Sequence, residues 1–136
     1  MIPPDDLLYE YALVRYVPRI DRQEFINIGL IMLCKRRRWL HGEICFDEKR
    51  IRAFDPHVKI ENLKKQASIF EIKDIPFANI PVEEKYRWLT ATKSAVLQTS
   101  ESHPGLCVAP ITLEKCGDNQ QLYDEFYRLF SELVII

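Results

Sequence analysis

The chain has 136 residues, 47% of them hydrophobic, with a net charge of −1 and a pI near 6.3. That length suits one domain with a core of its own, so disulfide or metal staples are not needed for folding. The near-neutral charge excludes a global electrostatic pull toward nucleic acid or an anionic membrane.

The opening residues, MIPPDDLLYE, are acidic and broken by proline, and lack the basic and apolar regions of a signal peptide. No apolar run approaches the roughly 20 residues of a membrane span. A cytoplasmic protein without membrane attachment is expected, with Cys34, Cys45, Cys107 and Cys116 as reduced thiols. Their spacings hold no CxxC, so neither a metal site nor a cofactor is expected, and the thiols read as small buried hydrophobes.

Residues 8–17 and 25–34 are rich in Tyr, Val, Ile, Phe and Leu, and Pro18 and Asp21 separate them, which predicts two strands. Lys35 to Arg38 is a basic turn, and WLHGEICF returns as a third strand, giving an antiparallel β-meander over 8–46. Alternate residues of a strand share a face. The even positions (Ala12, Val14, Tyr16; Ile26 to Cys34; Leu40 to Phe46) are almost wholly apolar and should pack on helices. The odd positions are mixed, and the sequence does not say what covers them. Turns centred near Asp21 and Arg37 set Arg15 opposite Asn27, and Asn27 opposite Asp47.

A helical middle follows over 47–90. Asp47 caps a short helix, and Asp55-Pro56 reads as the cap and first turn of a second, with Ile60, Leu63, Ala67 and Phe70 at helical spacing. Pro81 opens a third, with Glu83 and Glu84 in its first turn. Residues 94–110 read as a strand and loop. A C-terminal helix at 118–134 starts on an Asp118/Gln121 capping box and buries Leu122, Phe126, Leu129, Phe130 and Leu133. The expected fold is a single α+β domain, 1–136: a meander sheet of three to four strands packed on one face by three to four helices.

Two blocks stand out, LVRYVPRIDRQEFINIGLIM (13–32) and YRWLTATKSAVLQTSESHPGL (86–106). They combine Arg15 and Pro18; Glu24, Phe25, Asn27 and Gly29; Trp88 to Ala91; and Gln98, Ser100, His103 and Gly105. Together they resemble the bacterial family known as domain of unknown function 3037, over most of the chain. That family has no assigned activity, so the resemblance implies a grouping rather than a mechanism. Relatives are often encoded beside HipA-like kinases, which implies an accessory role.

Three readings of function compete. Catalytic motifs are absent: Ser100, Glu101 and His103 lie in one loop, triads draw on separate segments, and no GxSxG elbow exists. The leading expectation is therefore a non-enzymatic accessory module that binds a protein partner, with a HipA-like kinase as the partner the resemblance implies. The alternative is an anion- or small-molecule-binding site in which Arg15 and Asn27 converge with the 98–105 loop, through Gln98, Ser100 and His103, with Arg87 or Lys93 supplying charge. Glu24 and Gly29 are assigned to the turn. The third reading is a nucleic-acid contact at the hairpin tip, Arg36, Arg37, Arg38 and Trp39, which the overall charge disfavours. His41 and Glu43 share a face, but two groups do not make a metal site.

Overall fold

The computed structural model describes residues 7–72, 81–91, 96–107 and 119–135. Among these residues five strands and four helices form an α+β fold around one antiparallel sheet, so the expected three to four strands fall slightly short. The meander is β1 (Leu7–Tyr16), β2 (Ile26–Cys34) and β3 (Trp39–Ile44). The other edge of β1 takes two short strands in line, β4 (Leu97–Thr99) along its end and β5 (His103–Cys107) along its start. Between them Ala12 and Leu13 face three residues, Ser100 to Ser102, so the β4–β5 segment carries one residue more than its partner.

Helices cover both faces of the sheet, not one as expected. α1 (Glu48–Phe54), α2 (Ile60–Ala67) and α3 (Val82–Thr90) enclose one core with Val14, Tyr16, Ile28, Ile31, Leu33 and Leu40. α4 (Gln120–Phe130) and the wide turn that continues it, Ser131–Ile135, close the other over Leu7, Tyr9, Leu13, Leu30, Met32 and Trp39. The mixed face is thus apolar enough to need a helix of its own. The expected start of that helix, Asp118, lies outside the described residues; of its expected stripe Leu122, Phe126, Leu129 and Phe130 are buried, whereas Leu133 is half-buried because the wide turn after Phe130 shifts the spacing and buries Val134 instead.

The face assignment from even and odd positions holds on β1 and β3 and reverses half-way along β2. Arg15 pairs with Asn27, as expected, and Val14 with Gly29, which leaves Ile28 as an extra residue in β2. This bulge puts Ile28 and Gly29 on the same side in succession, so Ile31 and Leu33 face α1–α3 while Leu30, Met32 and Cys34 face α4. The second register is off by one: Gly29 pairs with Ile44 and β3 ends there, so Asn27 does not face Asp47. Asp47 instead caps α1, accepting from the Arg50 N–H at 3.1 Å.

Asp55 does not open a helix. It ends α1, its Oδ1 accepts from the His57 N–H at 3.1 Å, and α2 starts only at Ile60. The Tyr16 hydroxyl donates to the other oxygen, Oδ2, at 2.5 Å, which ties this turn to β1. The segment after α2 then closes the outer edge of β3 through paired hydrogen bonds between Gly42 and Ile72.

Candidate functional site

Antiparallel pairing places Asn27 on β2, Arg15 on β1 and Gln98 on β4 in one row across the sheet, on the face toward α4. The two sequence blocks therefore do meet, and β1 is the strand that joins them. The Arg15 guanidinium carbon lies 4.1 Å from the centre of the Phe25 ring, in stacking range. Asn27 Nδ2 donates to the Leu133 carbonyl at 3.3 Å. Arg15 Nε and Asn27 Oδ1 are buried and have no hydrogen-bond partner among the described residues. A donor and an acceptor thus stand side by side unmet, each costing about 1–3 kcal/mol if left so.

The other residues expected at this site lie elsewhere. Ser100 is buried in the β4–β5 irregularity, where its hydroxyl accepts from the Leu13 N–H at 2.8 Å and donates to the Glu101 carbonyl at 3.0 Å. It replaces a ladder carbonyl, and both its hydrogen-bonding functions are spent. His103 packs against Tyr11, ring centres 5.4 Å apart. Tyr11 is four residues up β1 from Arg15, about 13 Å at strand rise, so one small ligand does not span Arg15 and His103. Arg87 is on α3, across the sheet, exposed and 3.9 Å from Glu83. Lys93 lies outside the described residues. Glu24 pairs with Arg22 at 2.7 Å within the turn. Gly29 sits in β2 rather than in the turn, where an added Cβ would press on Ile44 and come within 2.8 Å of the Glu43 carbonyl.

One contributor escaped the sequence reading. Arg50 of α1 donates to the Asn27 carbonyl at 3.2 Å and to the Val134 carbonyl at 2.8 Å, tying the end of the α4 extension to the bulged strand. No local signal marks it, because its partners are backbone atoms distant in sequence. Val134 is fully buried there, so the apolar C-terminal residues are partly covered by their own sheet.

The cysteines behave as small hydrophobes. Cys34 and Cys107 are buried and Cys45 half-buried, all as free thiols; Cys116 lies outside the described residues. Burial, more than the neighbouring Glu125, pushes the Cys107 thiol up to about 12, which suppresses its thiolate. Among the described residues no group of three or more His, Cys, Asp or Glu side chains is placed to hold a metal, and no helix is long and apolar enough to cross a membrane.

The end of the sheet near the hairpin tip is open on the α1–α3 face. Leu8 and Leu106 are paired neighbours there and are 53% and 43% exposed. Leu8, Leu33 and Pro104 line a groove of about 440 Å3, with Glu10 in it and Lys35 and Arg36 on its rim, and Leu106 flanks it as the strand partner of Leu8. Arg37 and Arg38 complete the four-residue basic turn. Trp39, expected at the exposed tip, is instead fully buried against Tyr123 of α4. It is not placed to stack on a base.

Residues 11–134 match the family described as Protein of unknown function (DUF3037). The chain belongs to that family. The match covers both blocks, β1 from Tyr11 onward and the elements from β2 to α4, so the row of Asn27, Arg15 and Gln98 and the basic tip all fall inside the DUF3037 region. No curated protein and no solved structure matches the chain.

Proposed function

We propose that this DUF3037 protein is a binding module that holds an extended, acidic and apolar segment of a partner protein in the groove beside its hairpin tip. The observation that carries this reading is the Leu8–Leu106 pair, two leucines about half exposed and side by side at the open end of the sheet. Covering their exposed halves contributes about 1 kcal/mol each. The Lys35 to Arg38 turn at the rim favours carboxylates beside the apolar side chain, acting on encounter rate and specificity more than on affinity. A HipA-like kinase is the first partner to try, on the accessory role that the family resemblance implies. Nucleic acid is the weaker occupant of this surface, because the aromatic of the tip is buried and the cations adjoin leucines rather than a stacking platform.

Site-resolved crosslinking tests this in the native host. A photoreactive phenylalanine replacing Leu106 should give one dominant protein adduct, and the same residue replacing Arg52 on α1 should not. The crosslinked peptide should carry Asp or Glu beside its apolar contact. Equal adducts from both positions, no adduct, or a basic peptide would overturn the reading.

A further inference from the structure

A second cavity, also of about 440 Å3, opens on the α1–α3 face at the other end of β1. That volume lies within the range of small-molecule sites. Its floor is the Tyr16 ring with Val58 and Leu63, all buried. Its wall is α2, on which Lys59, Asn62, Leu63 and Gln66 fall at i, i+3, i+4 and i+7 and so share one side. Leu63 faces the core, and the two carboxamides and the ammonium group flank it along the cavity.

The opposite wall is built by the Asp55 turn. Asp55 takes the Tyr16 hydroxyl on one oxygen and the His57 N–H on the other, which orients the phenol and holds His57 at the cavity. Both its oxygens are thereby engaged while the carboxylate stays negative, so a ligand's own anionic group is directed away from it and toward Lys59. Arg19 also lines the space, but its guanidinium is committed to Asp21 at 2.6 Å. Among the described residues no carboxylate pairs with Lys59. The cavity thus combines an apolar floor, two amides that can donate and accept, and a lysine with no carboxylate partner among the described residues.

We propose that this cavity binds a small heteroaromatic anion, its ring on Tyr16 and Leu63, its ring heteroatoms on the Asn62 and Gln66 amides, and its carboxylate or phosphate on Lys59. The ring chemistry follows from the Tyr16 ring beside the aliphatic Val58 and Leu63, and the polar edge from two amides that can each meet a donor or an acceptor. The single negative group follows from that lysine. This site is on the sheet face opposite Arg15 and at the end of β1 opposite the Leu8 groove, and it stands whether or not that groove holds a partner.

The test is an NMR titration of the 15N-labelled full chain with nicotinate and adenosine monophosphate, each beside its neutral counterpart, nicotinamide and adenosine. One of the anions should bind at millimolar concentration or below, about tenfold tighter than its neutral counterpart, as one charge-assisted contact supplies. The side-chain amide signals of Asn62 and Gln66 should move with it. Lys59→Glu, an exposed change, should abolish the preference for the anion while the rest of the spectrum is unchanged. Equal binding of the neutral compounds would overturn the proposal, as would shifts confined to other residues or no shift with any of the four. A carboxylate preference against a phosphate preference distinguishes the two sources of charge.

Discussion

At the scale of single residues, two polar groups of the same sequence block have opposite meanings. Ser100 looks like chemistry in the sequence, in a loop with Glu101 and His103, yet its hydroxyl completes the backbone ladder at Leu13. Ser100→Ala would strip the only acceptor of a buried N–H and should cost about 1–3 kcal/mol, read as a lower urea midpoint with an unchanged slope. Stability equal to the parent would mean that the irregularity re-forms without the hydroxyl. Among the described residues Arg15 and Asn27 keep an unmet donor and acceptor, and the sequence does place them opposite each other, because the turn at Asp21 fixes their register. Gln98 joins them as the second block suggested, but the strand pairing that brings it there, and that leaves Ser100 and His103 elsewhere, shows only once the chain returns to the free edge of β1.

At the scale of elements, the bulge at Ile28 decides how far alternation can be read. Hydrophobic residues fill both sides of β2 (every residue from Ile28 to Cys34 is buried), so nothing in the pattern marks the point where the faces exchange. The same uniformity hides α4's role, because a strand covered on both faces carries no polar side to betray the second layer. Gly42 is the element-level counterpart of Ser100. It lets the segment after α2 lie against β3, and a Cβ there would collide with the Phe70 carbonyl, which is backbone and cannot swing aside. Gly42→Ala should therefore break the Gly42–Ile72 bonds and cost about 1–3 kcal/mol. Faster amide exchange at Ile72 and at Gly42's position should accompany it. Unchanged exchange at both would refute the close-approach account.

At the scale of the whole molecule, burial of protonated groups predicts how stability depends on pH. Burial, against an opposing hydrogen bond with Ser102, pushes Tyr86 up to about 12, and burial does the same for Cys107. In the unfolded chain the phenol and thiol release their protons near pH 10 and near pH 9. Both folded values are raised, so this stability is complete below about pH 9 and is lost as the pH climbs toward about 12. Tm should fall steeply across that window, and Tyr86→Phe should flatten the fall. A variant with the parent's slope would remove Tyr86 from the account. The order in which the sheet is assembled has a separate consequence. β1 meets β2 after a short turn, but its other edge waits for residues that arrive 87 positions later at Ser100. Such distant pairing slows folding. A nascent chain emerging from the ribosome can zip up the hairpin early, yet it carries an open strand edge until residue 107 has been synthesised, and during that interval it is most exposed to aggregation and to chaperones.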